Sequence, residues 1–138
     1  MIVLDTNVLS ELMRPRPHPG VVEWLLAQTR SMVFTTAVSR GEMLYGVQIL
    51  PDGQRKIRLL QEVLAIFSTD MAGRVLPYDS DAADAHAEFS AMRRAQGRPV
   101  AQSDAMIAGI ARSRGATLAT RDLRDFEGCG IPLIDPWR

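Results

Sequence analysis

"MIVLDTNVLSEL", residues 1–12, runs three apolar residues into an aspartate and starts a second apolar stretch three residues later. Residues 2–4 are apolar with little alternation, the pattern of a strand buried on both faces. A short helix is expected to follow, ending before "RPRPHPG" (14–20), whose three prolines are read as forbidding helix. Asp5 sits at the join. It can cap the next helix, since aspartate is among the best capping residues. It can also be a ligand, since the carboxyl ends of parallel strands carry the ligand site in α/β sheets.

The rest of the chain repeats this alternation. Strands are expected at 32–36, 74–78, 116–120 and 131–135, and helices at 21–29, 39–50, 54–69, 81–96 and 103–113. In the 54–69 helix, Ile57, Leu60, Leu64 and Phe67 form an apolar stripe, and Gly115 is the expected stop of the 103–113 helix. Strands alternating with helices predict a mainly parallel sheet covered on both faces. No repeat, low-complexity tract or linker interrupts the chain, so residues 1–138 are read as one domain.

Composition removes several function classes. Sixteen acids balance sixteen bases, so no global basic field supports a nucleic-acid reading. Lys56 is the only lysine, and the other fifteen bases are arginine, whose planar fork suits phosphate. A single cysteine, Cys129, rules out an internal disulfide and suits a reducing cytoplasm. The longest apolar run, "VLAIF" (63–67), is far short of a membrane span. There is no phosphate loop, no nucleophile elbow and no dinucleotide fingerprint. His18 and His86 lack ligand-spaced partners and are read as structural or exposed.

Four acids stand apart from the others. Glu42 lies in "SRGEMLYG", where Ser39 and Glu42 have capping-box spacing, yet it shares a helix face with Tyr45 and Ile49. Asp104 stacks over Ile107, Ala108 and Ala111, and a core-facing charge is costly without a partner. Its alternative role is a first-turn acid favoured by the helix dipole. Asp122 follows a strand beside Thr120, where a turn or cap role is the plain alternative. Asp125 and Asp135 have only the cap reading. Together with Asp5, four converging carboxylates would repel one another unless a cation sat between them. Oxygen ligands without His or Cys favour Mg²⁺ or Mn²⁺.

"MIVLDTNVLSEL", "SRGEMLYG", "QSDAMIAGIA" and "LATRDLRDF" resemble, in order and spacing, the four acidic motifs of PIN-domain ribonucleases, most of all the VapC-type toxins of bacterial toxin–antitoxin pairs. The resemblance covers essentially the whole chain. It implies a three-layer α/β/α fold with a five-stranded sheet ordered 3-2-1-4-5, and a Mg²⁺- or Mn²⁺-dependent endoribonuclease. Asp5, Glu42, Asp104 and Asp122 match the four acids, with Asp5, Asp104 and Asp122 as metal ligands. Asn7 and Thr120 match supporting polar positions. The resemblance also implies an RNA substrate, a cognate antitoxin, a homodimer within a toxin–antitoxin hetero-oligomer, and operator DNA bound through the antitoxin. Arg93, Arg94, Arg98, Arg112 and Arg121 are the candidates for flanking phosphates. Two other classes compete: a Mg²⁺-binding receiver-like signalling module, and a non-catalytic binding domain whose acids are helix caps. The receiver reading lacks a phospho-accepting aspartate at the end of a central strand.

Overall fold

The computed structural model describes residues 1–138. Five strands form one sheet: β1 (Ile2–Leu4), β2 (Val33–Thr36), β3 (Val75–Leu76), β4 (Thr117–Ala119) and β5 (Leu133–Ile134). Their order is β3-β2-β1-β4-β5, and every pairing is parallel. Six helices connect them: α1 (Thr6–Leu12), α2 (Pro19–Leu26), α3 (Ala37–Gln48), α4 (Gln54–Ala65), α5 (Ser80–Ala95) and α6 (Gln102–Ser113).

Each strand is covered on both faces, so successive residues pack into opposite layers. Val3 packs with Phe89, Ile107, Ile110 and Phe126 under α5 and α6. Leu4 packs with Val8, Val21, Val63 and Phe67 under α1, α2 and α4. The result is a three-layer α/β/α sandwich with the order that the resemblance implied. The strand order reverses direction between β1 and β4, and the crevice outside their carboxyl ends is where such sheets bind ligands. No helix is long and apolar enough to cross a membrane.

Three expectations need correction. Helix α2 begins at Pro19, inside the proline run, because Pro19 takes the first helical position, where the missing N–H is not needed. His18 caps that helix, accepting from the Gly20 N–H at 3.1 Å. The buried stripe of α4 is centred on Val63 and continues to Phe67, whereas Ile57 and Leu64 are exposed. Beyond Ala65 the chain widens into a π turn over Ile66–Asp70, which shifts the helical phase and ends the regular stripe. The capping box at Ser39 is absent: Thr36, the last residue of β2, caps α3 by accepting from the Ser39 N–H at 3.1 Å. Gly115 does end α6, with φ +62 and its N–H on the Arg112 carbonyl.

Gly109 lets α5 and α6 meet closely. A Cβ at this position would lie 2.4 Å from the Ala82 carbonyl oxygen and 3.0 Å from both the backbone nitrogen and the Cβ of His86. That contact fixes α6 against α5, and with it the height at which Asp104 leaves the first turn of α6.

Candidate metal centre

The four sequence-selected acids converge on one open crevice of about 500 Å³, lined by Asp5, Glu42, Asp104 and Asp122 with Arg14, Arg121 and Trp137 on its rim. Topology brings them together. Asp5 ends β1, Glu42 lies on the helix that leaves β2, and Asp122 follows β4. Helix α6 runs back against the strand direction before β4, so its first turn, with Asp104, starts at that same carboxyl edge.

Asp5 is almost fully buried. One carboxylate oxygen accepts from the Thr6 N–H at 2.8 Å, and the other accepts from the Thr120 hydroxyl at 2.8 Å. Cap and site residue are therefore the same carboxylate, and each oxygen keeps a free lone pair toward the crevice. Burial drives its pKa up to about 6; the bonds from Thr120 and Thr6 oppose this, and the charges of Asp104 and Glu42 add to it. Asp104 is half-buried and also pushed up to about 6, by burial first and then by the charges of Asp125, Glu42 and Asp122. Asp104 looks into the crevice from the end of α6, with Ile107, Ala108 and Ala111 buried behind it.

Thr120 is the hub of one side. Its hydroxyl donates to Asp5 and accepts from the Asp122 N–H at 3.0 Å and the Asn7 amide at 3.3 Å. Asn7 also donates to the Asp122 carboxylate at 3.1 Å. Asn7 and Thr120 thus tie α1 to the loop after β4. Replacing Thr120 with Val removes the strongest influence holding down the Asp5 pKa. In metal-free protein the Asp5 carboxyl of Thr120→Val is expected to titrate at higher pH than that of wild type, followed by carboxyl NMR. An unmoved titration would contradict this role.

A second relay was not visible in the sequence. The Thr36, Ser39 and Thr6 hydroxyls are linked at 3.4 and 2.8 Å, and Thr6 donates to the Glu42 carboxylate at 2.8 Å. Three side chains from β2, α3 and α1 therefore aim Glu42. Glu42 itself is exposed on a solvent face with Tyr45 and Ile49, not on an apolar face turned to the core. Serine and threonine are too common near helix starts for such a chain to be picked out from spacing.

The arginine candidates separate cleanly. Arg93 is buried and donates to the carbonyls of Arg98, Asp125 and Glu127, so it holds the 123–127 turn. Arg98 pairs with Glu127 and Arg112 with Glu88, and Arg94 is not among the residues lining the crevice. Arg121 alone of the five reaches the rim, joined there by Arg14, which sequence reasoning had not selected. Asp135 is a cap, accepting from the Trp137 N–H at 2.9 Å.

No three His, Cys, Asp or Glu side chains are drawn together tightly enough to form a closed metal cage. The donor set nevertheless suits a hard cation that keeps part of its water shell, as Mg²⁺ does when one or two carboxylates hold it directly. A buried and a half-buried acid that resist ionisation, beside two further carboxylates, are what a bound cation would relieve.

Comparison with known proteins gives the family of the chain. The PIN domain family model matches residues 2–128. VapC ribonuclease Y4jK of Sinorhizobium fredii is 38% identical, with 99% of this chain and 98% of that protein aligned. Toxin FitB of Neisseria gonorrhoeae is 36% identical over 99% of each chain. The solved structure of FitAB bound to an IR36 DNA fragment superposes with a TM-score of 0.91 at 35% identity, covering 100% of this chain and 96% of that one. The chain belongs to the PIN-domain family, in its VapC ribonuclease branch.

Proposed function

We propose that this protein is a Mg²⁺- or Mn²⁺-dependent endoribonuclease that hydrolyses RNA phosphodiester bonds and serves as the toxin of a toxin–antitoxin pair. The observation that carries the reading is the convergence of Asp5, Glu42, Asp104 and Asp122, from four different elements, on one crevice at the strand-reversal point. Asp5 and Asp104 would hold the cation between them, with Glu42 and Asp122 holding it directly or through its waters. A cation bound there would polarise a phosphoryl oxygen and acidify a water, so that the water attacks phosphorus and the leaving oxygen departs in line. Thr120 keeps Asp5 oriented and ionisable. The hydroxyl relay through Thr6 holds Glu42 where it can accept a proton. Asn7 keeps Asp122 beside that pair.

FitB is named a toxin and is seen in a FitAB complex on DNA. By that likeness this chain would pair with a cognate antitoxin, dimerise within the hetero-oligomer and reach operator DNA through the antitoxin. An apolar groove lined by Leu9, Leu12, Met13, Leu25 and Leu26, with Leu26 79% exposed, offers a surface that gains from being covered.

The test is cleavage of total bacterial RNA and bulk tRNA with Mg²⁺ or Mn²⁺ and with excess EDTA. Discrete cuts that EDTA abolishes are expected, together with a rise in Tm on adding Mn²⁺. Equal cleavage in EDTA would exclude the metal. No cleavage and no Tm response would favour the reading in which the acids only cap helices.

A further inference from the structure

The crevice has an acidic floor and a rim of different chemistry. Arg121 lies on that rim with its guanidinium 5.2 Å from the centre of the Trp137 ring. Six ion pairs form in the molecule and Arg121 is in none of them, although Asp5, Asp104 and Asp122 line the same opening. Its side chain makes no hydrogen bond; only its backbone N–H bonds, to Asn7. An arginine beside so many carboxylates that pairs with none is held away from them, and the indole is what holds it.

Trp137 is itself fixed in place. Its N–H is bound by Asp135, and Arg138 closes on Asp135 at 3.3 Å. On the other side its ring packs against the core cluster that includes Leu9 and Val21, and it lines the crevice with the buried Glu11 of α1. Burial pushes the Glu11 pKa up, but the His18 N–H, Arg14 and Trp137 together bring it below the usual range. Glu11 therefore stays charged and holds the chain entering α2 through the His18 N–H at 3.2 Å. The wall made by Trp137 and Arg121 is built, not incidental.

We propose that Arg121, positioned by Trp137, binds the RNA phosphate adjacent to the one being cleaved. A polyanion entering an acidic crevice needs a cationic contact that the acids have not already neutralised, and Arg121 supplies one with a planar fork suited to phosphate. The inference rests on the ribonuclease reading above. Arg121 is a binding residue here, and Trp137 is a positioning residue that acts through it.

The experiment measures equilibrium binding of bulk tRNA and of a mixed-sequence single-stranded RNA oligomer to the full chain, with Ca²⁺ as the divalent ion, across a range of salt. Arg121→Gln is expected to weaken binding about tenfold, the size of one lost charge-assisted contact. The slope of log Kd against log salt should fall by about 0.7, the value for one phosphate on a single strand. Arg121→Lys should recover the slope. Trp137→Leu should weaken binding, and the Trp137→Leu, Arg121→Gln double variant should bind no worse than Arg121→Gln alone. If wild type binds RNA and Arg121→Gln matches it in affinity and slope, the assignment of Arg121 is wrong while the ribonuclease reading stands. Additive losses in the double variant would remove the positioning role of Trp137. If wild type binds neither RNA, both readings fall together.

Discussion

Asp5→Asn is expected to lose metal-dependent RNA cleavage by about a thousandfold or more, and to become more stable without metal at neutral pH. The first effect follows from removing the most buried charge of the crevice, where several kcal/mol of charge stabilisation are at stake. The second follows from the pKa of about 6 at Asp5, raised by burial above the ordinary aspartate value of 3.8. A raised carboxyl pKa means that the folded state holds the proton more tightly than the unfolded state does. Its contribution is fully present below about pH 4 and is lost as pH rises through about 6. At pH 7.5 the metal-free wild type therefore carries a charged Asp5 at a cost of up to about 3 kcal/mol. Asparagine keeps the shape and carries no charge, and its single amide oxygen keeps the bond from the Thr6 N–H while the bond from the Thr120 hydroxyl is lost, a smaller cost than the buried charge. Thermal melts in EDTA should show Asp5→Asn above wild type at pH 7.5, with the gap closing near pH 4.5. Adding Mn²⁺ should raise wild type and leave the variant unmoved. Metal-dependent cleavage surviving in this variant would end the assignment of Asp5; a destabilised variant at pH 7.5 would show that the charge is already compensated without metal.

Gly109→Ala should destabilise the fold by about 2–4 kcal/mol, and Gly109→Val should prevent folding at 37 °C. Two effects oppose each other. Alanine inside a helix gains roughly 1 kcal/mol over glycine. Against this, the new Cβ would stand 2.4 Å from the Ala82 carbonyl oxygen, and its other nearest neighbours, the His86 nitrogen and Cβ, belong to the same helix α5. None of these is the far end of a flexible side chain, so relief requires α5 and α6 to separate as bodies. Such separation loosens the layer that holds Phe89, Ile107 and Ile110 and lowers activity by moving Asp104. Urea denaturation decides the matter: an alanine variant as stable as wild type would show that the helices part easily.

The sequence made the strand-to-carboxylate join at Asp5 legible because a short unalternating apolar run and a polar stop are both local signals. The order of the four acids was legible too, because each lies a fixed distance from a strand or helix end. What remained hidden depends on contacts between distant segments. Thr6, Ser39 and Thr36 meet only because β1 and β2 are neighbours. Arg93 reads as a surface base until the 123–127 turn folds over it and takes its donors with carbonyls. Glu42 does share a face with Tyr45 and Ile49, but both of those side chains are exposed, so an apolar face on α3 did not mean a buried one. Trp137 lies in a segment with no motif, and only the return of the C-terminal strand beside β4 brings it to the crevice, whereas Arg14 reaches it from just past the end of α1.

The hydrogen bonding at the crevice divides its acids by timescale. The Asp5 N–H is on the Ala119 carbonyl and the Thr120 N–H is on the Ile134 carbonyl, both 2.9 Å and both rungs of the central sheet. The Asp5 amide is held between the two central strands, β1 and β4, and the Thr120 amide by the edge strand β5, so both belong to the sheet ladder. Past Thr120 the main chain leaves the ladder, and the Asp122 and Arg121 amides are held by side chains alone. One half of the crevice is thus as rigid as the fold, while the other can rearrange around a passing strand without disturbing it.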